Sequence, residues 1–248
     1  MEVLFERKDK KVIKDGTSVV KIFSTDYSKA NVLNEALNQA LVEETGLNIP
    51  HLREVKTIDG QWAIVIDYIP GKTLQQLMDE NPDKIDEYID LFVNLQCEVF
   101  SKRAPKLNKI KDKMIGKISE CKIVDATQRY ELQTRITSMP KHNKVCHGDF
   151  NPSNIIINEE DGKPYIIDWS HATQGNASAD AARTYLVFVL EGKEELAKKY
   201  LAAFSKKTDI PIQLVQKWMP IVAASQSLKG NEEEQELLKT WANVIEYQ

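Results

Sequence analysis

The chain has 248 residues, with 33 Lys+Arg against 37 Asp+Glu and a formal net charge of −4. That length fits one large domain or two small lobes with a sizeable core. The slight negative charge argues against a protein that holds nucleic acid or an anionic membrane through a global positive field, and 42% hydrophobic with 28% charged residues argues against disorder or a membrane protein.

The first 70 residues predict the order β-β-β-α-β-β. Apolar and β-branched runs over 3–6, 11–14 and 18–23 are antiparallel strands, and Asp15-Gly16 turns the last two. Over 27–45, Val32, Leu33, Ala36, Leu37, Ala40 and Leu41 recur at helical steps and Gly46 stands where a helix ends. Runs over 52–58 and 61–69 flank Asp59-Gly60, a second hairpin. Pro70-Gly71 ends the strands, and the division between an N-terminal lobe (1–70) and a C-terminal lobe (71–248) is set there. The second lobe predicts helices over 73–80, 82–102, 107–121 and 125–138, then short strands over 144–146, 155–158 and 164–169 with a turn at Asp161-Gly162. Helices resume from Ala177, Lys193, Ile212 and Glu232.

Cys97, Cys121 and Cys146 form no C-x-x-C pair, so they are expected as packed thiols. The N-terminus becomes charged too early for a secretory segment and the longest apolar run, 185–190, is too short for a membrane span; the expected location is the cytoplasm.

The strand interruption of the second lobe carries His147-Gly148-Asp149-Phe150-Asn151-Pro152-Ser153-Asn154, then Ile166-Ile167-Asp168-Trp169. Asp, Asn, Pro and Gly are ordinary loop formers. Three of them at the offsets H-x-D-x-x-x-x-N, then D, serve phosphoryl transfer: one carboxylate, Asp149, takes the proton of an acceptor hydroxyl, while Asn154 and Asp168 hold Mg²⁺ against nucleotide phosphates.

On these residues the chain resembles the aminoglycoside phosphotransferase-like enzymes, a family that includes choline and ethanolamine kinases. Its H-G-D-x-x-x-x-N and I-D-W are matched by His147 to Asn154 and by Ile167-Asp168-Trp169, and Asp180-Ala-Ala-Arg183 is similar to the stretch that opens the next helix. The resemblance implies an α+β, bilobal protein-kinase-like fold, with a small β-rich N-lobe holding one helix and a larger α-helical C-lobe. It also implies a structural His147.

Such an enzyme needs a strand lysine on the phosphates and a helix glutamate to orient it. Lys21 interrupts the apolar run 19–23 and needs a partner if buried; Glu35, mid-helix, is the expected one. The main chain of Asp67, Tyr68 and Ile69, at the lobe junction, is expected to bind adenine or guanine, so the co-substrate is ATP or GTP. One departure is the turn Arg7-Lys8-Asp9-Lys10-Lys11, which has no glycine where related folds cover the phosphates. It is expected as a solvated hairpin turn, with charge contacts to phosphate as the alternative.

About a dozen residues separate Asp168 from Asp180, too few for a peptide-binding activation segment, so the expected acceptor is a small-molecule hydroxyl. A protein kinase and a nucleotide-binding module without turnover are the rival readings. Trp218, Trp241 and the acidic run 232–234 are read first as helix core and dipole partners, with a cationic acceptor held by them and Tyr247 as the alternative. The oligomeric state is not legible.

Overall fold

The computed structural model describes residues 2–243. In chain order its elements are β1 (Glu2–Glu6), β2 (Lys10–Asp15), β3 (Ser18–Phe23), α1 (Lys29–Glu43), β4 (Leu52–Ile58), β5 (Gln61–Asp67), β6 (Gly71–Thr73), α2 (Leu74–Glu80), α3 (Ile85–Ser101), α4 (Ile110–Glu120) and α5 (Ala126–Ser138). There follow β7 (Lys144–Cys146), β8 (Ile155–Asn158), β9 (Pro164–Ile166), β10 (Thr173–Gly175), α6 (Ala177–Leu190), α7 (Glu194–Thr208), α8 (Ile212–Gln216), α9 (Met219–Gln226) and α10 (Glu232–Ala242). The contacts divide the chain into two compact units: residues up to Pro82 with Pro152–Ala172, and Asp83–Asn151 with the chain from Thr173.

The first unit rests on an antiparallel sheet of order β1-β2-β3-β5-β4. Asp59 and Gly60 both take positive φ, 49° and 80°, which matches the twist of the β4–β5 hairpin. Because side chains alternate across a strand, Phe23, Ile64 and Ile66 face α1 and pack on its Val32 and Ala36, while Ile13, Val20, Ala63 and Val65 form a second cluster on the other face. A smaller sheet, β6-β8-β9, belongs to the same unit.

The sequence ends the strands at Pro70-Gly71, whereas Gly71–Thr73 is a strand paired with β8. Gly71 makes this possible: at φ 142°, a Cβ would stand 2.0 Å from the Ile157 carbonyl oxygen. Thr73 then caps α2 through a capping box with Gln76.

The second unit is helical around one short ladder, β7 with β10, the latter absent from the sequence reading. Asp125 caps α5, again with a capping box. The helix expected from Ile212 is broken into α8 and α9, with Pro220 in the first turn of α9. Phe92 of α3 packs on Phe150 and Tyr200 at ring-centroid distances of 4.7 and 5.6 Å. Inside this cluster Tyr200 donates to Gln96 Oε1 (2.7 Å), Gln96 to Thr184 Oγ1 (3.3 Å), and Thr184 to the Phe150 carbonyl (2.8 Å). Every polar group in that chain is buried, so the chain fixes the backbone at Phe150 to α3, α6 and α7.

Candidate active site

In the first unit, Lys21 Nζ lies 2.8 Å from Glu35 Oε1 and 3.1 Å from Asp168 Oδ1. Residue 21 pairs with Ile64 in the β3–β5 register, so its side chain emerges on the face that carries α1. Burial opposes the ammonium charge, but the carboxylates of Asp168 and Glu35 outweigh it and hold the Lys21 pKa above the ordinary lysine range. Helix α1 also packs on the turn after Asp168, where Asn38 Nδ2 donates to the Ser170 carbonyl (3.2 Å). Trp169, fully buried, ties its indole N–H to the Ile166 carbonyl (3.0 Å).

Asp168 itself stands in the left-handed region, φ 61°. A non-glycine residue held there costs of order 1–3 kcal/mol and is kept by its surroundings; here these are the Lys21 ion pair and the anchored Trp169. Asn154 ends a 3-10 turn (Pro152–Asn154) that leads into β8, and its carbonyl accepts the Ile167 N–H at 2.9 Å. The β8–β9 hairpin therefore brings Asn154 next to the residue preceding Asp168. An amide oxygen and a carboxylate are hard oxygen donors that suit Mg²⁺, which commonly takes one or two protein ligands and completes its shell with phosphate oxygens and water. Among the described residues no group of three or more His, Cys, Asp or Glu stands where it could hold a metal ion.

The last residue of β5 and the one after it use their amides inside the unit. Asp67 N–H donates to the His51 carbonyl (3.0 Å) and Tyr68 N–H to the Thr17 carbonyl (2.9 Å). The Asp67 carboxylate binds Arg53 Nε at 2.5 Å, and the Tyr68 ring lies 3.9 Å from Lys14 Nζ. A cavity of about 760 Å³ opens beside these residues, lined by Asp15, Ser18, Val20, Arg53 and Val65. Val20 and Val65 belong to the sheet face away from Lys21, so this cavity is separate from the Lys21–Asp168 pair. The turn Arg7 to Lys11 is a hairpin turn: Arg7 N–H donates to the Lys10 carbonyl (2.8 Å), Arg7 lies over the Phe5 ring and Lys11 pairs with Glu6.

In the second unit, the loop after β7 carries His147 to Asn151. Asp180, near the start of α6, accepts the N–H groups of His147 (3.2 Å) and Gly148 (2.6 Å). Burial pushes the Asp180 carboxyl above its usual range, while His147 and the two amides pull it back. His147 is fully buried and its Nδ1 accepts the Asp149 N–H (3.2 Å), the geometry of a loop-forming histidine. Arg183, one helical turn after Asp180, places Nη2 3.1 Å from Asp149 Oδ1. Sequence reasoning did not assign Arg183 this contact; the i, i+3 spacing from Asp180 is the signal that both side chains leave one face of α6. Of the residues weighed for a cationic acceptor, Trp218 is fully buried, Trp241 stacks on Tyr185, and Glu234 accepts from Gln226 and Asn231. Tyr247 lies outside the described residues.

Residues 118–212, which include Asp149, Asn154, Asp168 and Arg183, match the phosphotransferase enzyme family. No curated protein sequence matches the chain significantly. Among solved structures, a thermostable mutant of aminoglycoside phosphotransferase APH(4)-Ia in its apo form is similar with a TM-score of 0.71 at 15% identity, covering 98% of this chain and 92% of that one. The same enzyme (N202A) as a ternary complex with AMP-PNP and hygromycin B gives 0.71 at 14% identity over the same shares. Choline kinase LicA from Streptococcus pneumoniae gives 0.61 at 15% identity, over 97% of this chain and 90% of that one. The fold is that of these phosphotransferases, and the resemblance carried by the His147 and Asp168 motifs holds.

Proposed function

We propose that the protein transfers the γ-phosphoryl group of ATP or GTP to a hydroxyl of a small molecule. The observation that carries this reading is the Lys21 ammonium held between Glu35 and Asp168, a strand lysine, a helix carboxylate and a motif carboxylate joined at 2.8 and 3.1 Å. The AMP-PNP and hygromycin B bound by the similar APH(4)-Ia structure support a nucleotide and a small-molecule acceptor here.

In this reading residues 1–70 are the nucleotide lobe and 71–248 the catalytic and acceptor lobe. Lys21, oriented by Glu35, meets the nucleotide phosphates. Asn154 and Asp168 would hold Mg²⁺, which supplies charge neutralisation at the phosphate oxygens. Since the Asp67 and Tyr68 amides are engaged, purine recognition through Asp67 to Ile69 falls to the Ile69 N–H and the carbonyls. The acceptor oxygen attacks the γ-phosphorus as the bond to the β–γ bridging oxygen breaks. Its proton passes to the Asp149 carboxylate, and the nucleoside diphosphate leaves. Arg183, bonded to Asp149 Oδ1, positions that carboxylate.

Calorimetric titration with AMP-PNP, with and without Mg²⁺, tests the metal half. Wild type should bind more tightly with the ion, and Asp168→Ala should lose that gain; an undiminished gain in Asp168→Ala removes Asp168 from the ligand set. A nucleotide-binding module without turnover would show the same titration but no Mg²⁺-dependent ATP consumption.

A further inference from the structure

The acidic chain gathers cations in one place. In the second unit α4 and α6 both pack on α9, and Cys121 Sγ lies 3.4 Å from Ser227 Oγ, holding the end of α4 against the turn Ser227–Lys229. This places Lys117 of α4 in the electrostatic reach of Arg183, Lys229 and the Asp149 carboxylate, and Lys113 in that of Lys117 and Asp180. Among the described residues, Lys113, Lys117, Arg183 and Lys229 thus gather in the neighbourhood of Asp149 and Asp180. One of these, Asp180, is already committed to the His147 and Gly148 amides.

Arg183 supplies an independent observation. Only 9% of the residue is exposed; Nη2 bonds Asp149, yet Nη1 is buried with no hydrogen-bond partner among the described residues. A buried guanidinium donor without an acceptor is costly, and so is bringing the half-buried Lys113 and Lys117 ammonium groups together beside the exposed Lys229. Burial and the neighbouring cations lower the pKa values of both Lys113 and Lys117 to about 8, which records that cost. An oxyanion beside Asp149 offsets both penalties at once, while a second cation there adds to them.

We propose that Arg183, Lys117 and Lys229 form the acceptor subsite and that the acceptor is a small hydroxy compound bearing a carboxylate or a phosphate. This rests on reading Asp149 as the base, and it disfavours cationic amino sugars and choline as substrates. The same cations are chemically able to take the phosphates of the nucleotide instead, so the test separates the two sources.

The full chain is titrated calorimetrically with matched compounds: glycerol, glycerate and 3-amino-1,2-propanediol, then ribose, ribose 5-phosphate and choline. The oxyanion members should bind at least about tenfold more tightly than their neutral parents. Lys117→Met and Lys229→Met should each weaken that binding several-fold, Lys117→Arg should retain it, and AMP-PNP affinity should not move. Equal binding of all classes, no binding of the oxyanions, or tightest binding of the cations overturns the proposal. A loss of AMP-PNP affinity in place of oxyanion affinity overturns it as well, since the occupant is then the nucleotide. Mg²⁺-dependent turnover in Asp149→Asn reads the base assignment separately. Turnover that persists with oxyanion preference intact sinks that assignment alone; turnover lost without oxyanion preference sinks only the subsite.

Discussion

Lys21 is 9% exposed, and its charge is compensated by two carboxylates rather than by water. Removing one partner of such a buried pair leaves an uncompensated charge and costs ~3–5 kcal/mol, whereas apolar replacement of both partners is far milder. Lys21→Met should therefore lower stability by about that amount in urea unfolding, and Lys21→Met combined with Glu35→Leu should recover most of it; additive losses would show that the pair is not a unit. Because the folded-state pKa is raised above 10.5, this contribution is complete below pH 10.5 and is lost only as pH rises through the higher folded value. The pairing of Lys21 was legible because an ammonium inside an apolar run demands a partner. The contact of Arg183 with Asp149 was not, since the two meet only after α6 folds onto the loop.

At the scale of elements, the hairpins and long helices follow from local signals: Asp-Gly turns, capping boxes at Thr73 and Asp125, and apolar recurrence along α1 and α3. The three-residue strands β6 and β10 do not, because nothing within three residues distinguishes a strand from a loop; the ladders with β8 and β7 make them. Gly71 is the local hint, and it gives a test. Gly71→Ala places a methyl group against the Ile157 carbonyl at φ 142°, and should destabilise by more than the ~1–3 kcal/mol of backbone strain alone. Gly116→Ala, in α4 with open space around it, should instead raise stability by ~0.5–1 kcal/mol. Urea unfolding of both variants reads the two signs; a neutral Gly71→Ala would mean that β6 is not held as described.

At the scale of the molecule, a net charge of −4 conceals the cationic cluster, whose members come from α4, α6 and the turn before α10. Lys113 and Lys117 titrate near 8 when folded and near 10.5 when unfolded, so their destabilising effect is complete below about pH 8 and is relieved as pH rises toward 10.5. The buried Cys146 and Tyr200, whose pKa values burial raises, act in the opposite sense above the ordinary thiol and phenol values. Comparison with Lys113→Met/Lys117→Met isolates the lysines: the stability advantage of that variant should shrink between pH 7 and pH 10, and a constant gap would contradict the lowered pKa values. The grouping of Pro152–Ala172 with the N-terminal strands was not legible either, because the motif His147 to Asn154 reads as one continuous loop while its contacts divide after Asn151. In the proposed function Asp149 accepts a proton in phosphoryl transfer. This role is tested most directly by Mg²⁺-dependent turnover of ATP or GTP, with a panel of hydroxyl acceptors, in wild type and Asp149→Asn. Turnover in the variant should fall by ~10²–10⁴-fold with AMP-PNP affinity retained; turnover at the wild-type rate would contradict the account.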